Sequence, residues 1–197
     1  MKILFIGECD SFSSTLVDKH VKEGDSVSII AAHDFGKEIK PKHDYKWYHY
    51  QAENLNVERI FSSIRPFQVI FAGSLFGADE WHYEPASNRY LSELLNILNL
   101  SAKYQVNKFI YLSSTEVYQH DKSNLINENG TYGAKSYKGL LSVQGETLVK
   151  ETGALLSLKT LILRFSDLYG YKPEEDRHDF VNDLGQQFKS LEEIHID

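Results

Sequence analysis

The sequence of 197 residues contains a single cysteine, Cys9, and therefore neither a disulfide framework nor a cysteine-based zinc site. That usage fits a reducing cytoplasm. No apolar run approaches the roughly 20 residues that a bilayer demands, and Ile3-Leu4-Phe5-Ile6 is too short even for a signal peptide, so no membrane partner is expected. Basic clusters are missing too: 21 Lys+Arg stand against 28 Asp+Glu, a formal charge of −7 without long runs of either sign, which excludes a nucleic-acid binder with a basic face. Among the eight histidines, His43, His49, His82 and His178 repeat no metal spacing such as His-Glu-x-x-His and read as surface or loop residues, so no metal is expected. Repeats, low-complexity tracts and linkers are absent as well. What remains, 42% hydrophobic and 25% charged, is the composition of a globular chain long enough to bury one sizeable core.

Strand-like apolar runs alternate with segments of helical period. Ile3–Ile6 ends at Gly7, a Ser/Asp cluster suited to a helix N-cap follows, and Phe12, Leu16, Val17 and Val21 then recur at helical spacing before Val27–Ile30. That is a βαβ unit. Helices over Val57–Ile64, Ala86–Tyr104 and Leu140–Glu151 precede apolar runs at, in turn, Val69–Phe71, Phe109–Leu112 and Leu158–Leu163. Continuous apolar strands separated by helices mark a parallel sheet buried on both faces, so the fold class is α/β, a doubly wound Rossmann-type sheet. Tyr45, Trp47, Tyr48 and Tyr50 read as a further strand packed on one face. In the segment 86–104, Leu91, Leu94, Leu95 and Leu98 form the core stripe; Tyr90, Ile97 and Tyr104 form a second, for which a homodimer contact and deep burial are the rival explanations.

In such sheets ligands sit outside the carboxyl ends of the strands. The first such end, Gly7-Glu8-Cys9-Asp10-Ser11-Phe12-Ser13, resembles the Gly-x-x-Gly-x-x-Gly turn of the extended short-chain dehydrogenases/reductases. Val69–Ser74 is similar to that family's fourth strand and small-residue turn, Ser113-Ser114-Thr115-Glu116-Val117-Tyr118 to its Ser-Ser and Val-Tyr element, and Leu163–Gly170 to its Leu-Arg-x-x-Asn-Val-Tyr-Gly element. Together they identify the NAD-dependent epimerase/dehydratase family. The resemblance implies NAD or NADP as cofactor, lined by Gly7, Asp10, Ser11, Phe12, Ser13, Ala31, Ala72, Gly73, Ser74 and Leu112. It also implies a nucleotide or nucleotide-sugar ligand near Glu116 and Asp167, and a dimer through helix 86–104. For catalysis it implies a hydroxyl at Ser114 and a tyrosine whose phenol is acidified by a lysine four residues on, because i and i+4 share a helix face.

Several positions depart from that pattern. Asp10 and Ser13 replace the second and third glycines, and a carboxylate about 4 Å from a phosphate repels it by roughly 4 kcal/mol at an effective dielectric near 20. As an alternative, Asp10 caps the following helix. The acid that normally ends the second strand is Ala31, with Asp34 three residues late. Tyr90 stands for a family Asn, and Asp167 for another. Counting four on from Tyr137 reaches Leu141 and from Tyr132 reaches Ser136, so neither tyrosine has its lysine; Tyr132 with Lys135 is left as an i+3 pair.

Two functions follow. One is an epimerase, dehydratase or reductase on a nucleotide-sugar-like substrate, with Ser114 orienting and Tyr137 or Tyr132 relaying a proton. The other, favoured by the missing lysine, is a weakly active or non-catalytic binding or regulatory module on the same scaffold. Residues 1–165 read as the dinucleotide-type domain and residues 166–197 as the start of an incomplete substrate region. The length accordingly reads as that of a truncated chain.

Overall fold

The computed structural model describes residues 1–7, 9, 11–32, 40–50, 56–73, 84–119 and 126–166, with only the backbone given for Ser11 and residues 84–87. The chain divides into two compact units, Met1–Phe165 and Ser166–Asp197. In the first, the described strands are β1 (Lys2–Gly7), β2 (Ser26–Ala31), β3 (Lys46–His49), β4 (Gln68–Ala72), β5 (Lys108–Ser114) and β6 (Thr160–Phe165). The helices are α1 (Ser11–Lys22), α2 (Val57–Ile64), α3 (Glu84–Lys103) and α4 (Tyr137–Leu155). All strand pairs are parallel, in the order β3-β2-β1-β4-β5-β6. That order reverses between β1 and β4, the switch point at which doubly wound sheets receive ligands.

Alternate residues divide the sheet into two apolar faces. Leu4, Ile6, Ile30, Val69, Phe71, Phe109 and Tyr111 pack with the inner sides of α2, α3 and α4 in one core. Ile3, Phe5, Val27, Ile29 and Ile70 pack with Val17 of α1 in the other. Within the central strands the runs Ile3–Ile6, Val69–Phe71 and Phe109–Leu112 are apolar at every position because both faces are covered, as a parallel sheet requires. Local signals close the helices: Asn56 caps α2 by accepting from the Arg59 N–H at 2.9 Å, and Arg65 stops it in a left-handed conformation, φ 50°.

Helix α3 departs from the expected stripe. Leu94 and Leu98 are buried, but Leu95 is 40% exposed, whereas Tyr90 and Ile97 are 3% exposed. The buried face is thus 90, 94, 97, 98, 100 and 101, because α3 lies between neighbours on both sides. Tyr90 and Ile97 belong to this chain's own core, which is the rival reading of the second stripe, and Tyr104 hydrogen-bonds Glu58 of α2 at 3.3 Å.

One polar group inside this layer is costly. Tyr50, just beyond β3, donates to Oε1 of Glu93 on α3, and Oε2 is buried without a partner. Burial pushes the Glu93 carboxyl up to about 7, against the opposing pull of the Tyr50 hydrogen bond and of Arg89. A carboxyl raised in the folded state keeps a proton there that the unfolded chain gives up, so its contribution to stability is present below about pH 4.5 and lost as pH rises through about 7. Glu93→Gln is expected to melt several degrees above wild type at pH 8, about 2 kcal/mol after allowance for partial exposure, and to match it near pH 4.5. Thermal melts at the two pH values decide this; an equal offset at both contradicts it.

Candidate functional site

The carboxyl ends of β1 and β4 are built with bare backbone. Gly7 leaves β1 at φ +149°, and a Cβ there would come within 2.9 Å of the Ala72 carbonyl oxygen. Only glycine lets the two strands run out side by side before α1 begins. Gly73 follows β4 at φ +90° with open space on its Cβ side. Ser13 is buried in the first turn of α1, Phe12 and Leu112 are half-buried, and Ala31 is fully buried at the end of β2, where its carbonyl accepts from the Tyr50 N–H at 2.8 Å. Asp10, Asp34, Ser74 and Asp167 lie outside the described residues.

Ser114 ends β5 and caps a single 3₁₀ turn, Thr115–Val117, its Oγ accepting from the Glu116 N–H at 3.1 Å. Glu116 accepts from the Ser136 hydroxyl and lies 3.1 Å from the Lys138 ammonium. Gly139 permits that approach, since a Cβ there would meet the Glu116 carbonyl oxygen at 2.6 Å. The end of β5 and the first turn of α4 are therefore clamped together, and Tyr137, 36% exposed, stands at the first position of α4 after its cap, Ser136. Four residues on, Leu141 is 2% exposed in the core shared with α3. An ammonium at that position would be stripped of water.

Tyr132 has a different setting. It lies ahead of α4, bridged to Tyr118, so a helical i+3 pairing with Lys135 does not arise. Its hydroxyl donates to Glu146 Oε2 at 2.6 Å and accepts from Lys150 Nζ at 2.7 Å and from the Arg164 guanidinium at 2.9 Å. Glu146, fully buried on α4, also receives the Ser113 hydroxyl at 2.7 Å and a two-pronged Arg164 contact at 2.7 and 2.8 Å. Arg164 further donates to the Tyr118 hydroxyl at 2.6 Å and the Glu128 carbonyl at 2.8 Å. Burial pushes the Glu146 carboxyl up, but the hydrogen bonds from Arg164, Ser113 and Tyr132 outweigh it and hold the group below the usual range. The Tyr132 proton is thus committed to a buried carboxylate, and both its lone pairs to cations. By strand alternation Ser113 and Ser114 point to opposite faces of the sheet, so this cluster and Ser114 are separated. Sequence reading missed Glu146, Lys150 and Arg164 as partners of Tyr132; the one available signal was the i+4 spacing of Glu146 and Lys150 on α4, since Arg164 reaches them only through strand pairing.

Elsewhere among the described residues, His20, Glu23 and Asp25 bring candidate ligand atoms within 4.8 Å of one another. Asp25 is already paired with the terminal ammonium of Met1 and with His20 Nδ1 at 2.9 Å, which accounts for the grouping as an ion pair.

A parallel sheet with a switch point between β1 and β4, bare glycines at both strand ends and a serine closing β5 define a Rossmann-type ligand-binding α/β protein. Residues 13–196 match the NAD dependent epimerase/dehydratase family, and the chain belongs to that family. It is 24% identical over 189 residues to an uncharacterized UDP-glucose epimerase of Bacillus subtilis, covering 89% of this chain and 59% of that relative. It is 25% identical over 177 residues to a putative UDP-glucose 4-epimerase of Methanocaldococcus jannaschii, covering 87% of this chain and 57% of that relative. The chain therefore spans less than two thirds of the length of the curated relatives it matches. Among solved structures it resembles the UDP-glucose 4-epimerase of Thermotoga maritima with UDP-glucose, TM-score 0.78 at 24% identity, over 100% of this chain and 65% of that one. It also resembles the UDP-glucose 4-epimerase of Thermus thermophilus in complex with NAD, TM-score 0.77 at 20% identity, over 94% of this chain and 61% of that one.

Proposed function

We propose that residues 1–165 bind a nicotinamide dinucleotide, NAD or NADP, at the carboxyl ends of β1, β4 and β5, in the service of a nucleotide-sugar protein. In this reading the chain acts as a binding or regulatory module, works in the cytoplasm, and carries no tyrosine–lysine proton relay. The observation that carries the second half is Leu141, buried where the relay needs an ammonium, together with a Tyr132 hydroxyl spent on Glu146. The close approach of β1 to β4 that Gly7 permits and the open space beside Gly73 support the first half, since a pyrophosphate is received at such strand ends beside the start of the first helix. Gly7, Ser13, Ala31, Ala72, Gly73 and Leu112, with Asp10, Ser11, Ser74 and the backbone of Phe12, would hold the dinucleotide; Glu116 and Asp167 would face the sugar nucleotide. A homodimer through 86–104 would use the exposed side of α3.

A second reading, active epimerisation or dehydration, is favoured by one observation: Glu116 ties Ser114's turn to the start of α4, where Tyr137 stands. Incubation with NAD+ and UDP-glucose, followed by chromatography of the sugar nucleotide, separates the two. No conversion is expected. Turnover abolished by Tyr137→Phe contradicts the binding-module reading, and turnover abolished by Tyr132→Phe with its fold intact overturns the structural assignment of Tyr132.

A further inference from the structure

Strands β1 and β6 stand three places apart in the sheet, about 14 Å between axes at the usual interstrand spacing of about 4.8 Å. Yet Phe12, in the first turn of α1 after β1, and Phe165, the last residue of β6, meet edge to face with ring centroids 5.4 Å apart and planes at 60°. Phe165 is in register with Ser114, so it shares the face of the sheet that carries Ser114 and Leu112. The two rings therefore arch over the carboxyl ends of β4 and β5 on the Ser114 side. Among the described residues neither ring belongs to the two apolar cores, and both are half-buried, so core packing does not account for the contact.

We propose that Phe12 and Phe165 form a two-ring gate across the inner part of the ligand crevice, and that it discriminates between nucleotides. This rests on the dinucleotide-binding reading above. In doubly wound sheets the phosphates lie at the start of the first helix and the adenosine ribose at the end of the second strand, here Ala31. An adenosine diphosphate thus sits on the β1–β2 side with the rings closed. A full dinucleotide has to carry its second base toward β4, β5 and Ser114, where the closed rings stand in contact, so it binds only after they part. A ring pair of this kind is worth about two- to tenfold in an equilibrium, and that factor is charged against the dinucleotide alone.

The test is calorimetric titration of the full chain and of Phe12→Ala and Phe165→Ala with ADP and with NAD+. Each variant is expected to raise the ratio of NAD+ to ADP affinity by about two- to tenfold, and the double variant no further than either single one, because removing one ring already opens the gate. A ratio that stays level or falls, in a chain that does bind NAD+, overturns the gate and leaves the dinucleotide reading standing; a fall would mark the rings as a stacking platform. No heat from either ligand at millimolar concentration in any variant overturns both. If an alanine variant melts below the assay temperature, Phe12→Leu, which keeps apolar volume without the ring edge, is titrated in its place and is expected to shift the ratio the same way.

Discussion

Replacing Glu146 with alanine is expected to lower the unfolding free energy by about 3–5 kcal/mol, the usual consequence of removing one partner from a buried ion pair. The Glu146 side chain is 0% exposed and that of Arg164 only 13%, so the guanidinium left behind gains little water. Its remaining acceptors are the hydroxyls of Tyr118 and Tyr132 and the Glu128 carbonyl, none of them charged. The loss also frees the Tyr132 and Ser113 hydroxyls, which hold residues 126–132 and β5 against α4. For a chain of this size the melting temperature falls by about 6–20 °C. The pH dependence has a definite sign. The carboxyl is held below its ordinary value in the folded state, so the stabilisation is present above about pH 4.5 and disappears as pH falls through the folded value. Denaturant melts of wild type and variant should therefore converge in acid. A difference under about 1 kcal/mol at pH 7 would mean that the cluster is solvated and that Tyr132 is free for other work.

Gly145→Ala is the second large effect. A Cβ at this position would stand 2.2 Å from the Tyr111 hydroxyl and 2.9 Å from its Cζ. Tyr111 cannot yield cheaply: it is 1% exposed on the central strand β5 and shares a 2.5 Å hydrogen bond with Tyr90 of α3. Overpacking of this kind costs about 1–3 kcal/mol and occasionally more, while alanine in mid-helix returns up to about 1 kcal/mol over glycine. With the contact as close as 2.2 Å the cost falls at the upper end of that range, and the net expectation is a loss of about 2 kcal/mol, read from denaturant melts. Tyr111→Phe removes the atom that clashes most, so the double variant should lose less than the sum of the two single ones. Strict additivity would show that α4 swings away from the sheet instead of pressing on Tyr111.

How much of this was legible beforehand follows from what each residue depends on. The sheet and its helices were readable because Ile3–Ile6, Val69–Phe71 and Phe109–Leu112 are apolar at every position, which only a strand covered on both faces needs. Helix α2 was readable around Val57–Ile64 from its apolar spacing, while its ends, the Asn56 cap and the left-handed Arg65, belong to the structure. The exposed Leu95 was not, because the choice between neighbouring leucines is made by α2 and α4 on either side and not by α3 itself. At the site, Gly7, Gly73 and Ser114 could be placed at strand ends from sequence order alone. The partners of Tyr132 could not: Arg164 reaches it only because β6 pairs with β5, and Lys150 only because the segment before α4 folds back along that helix. The Phe12–Phe165 contact joins residues 153 positions apart and depends on the whole strand order.

The proposed function requires a dinucleotide crevice at the ends of β1, β4 and β5 in a chain whose α4 has turned its polar residues to structure. Calorimetric titration of the full chain with NAD+ near neutral pH tests it most directly. Saturable binding of about one molecule per chain is expected, with Kd at or below about 1 mM, roughly −4 kcal/mol or better. No heat up to several times that concentration would contradict it.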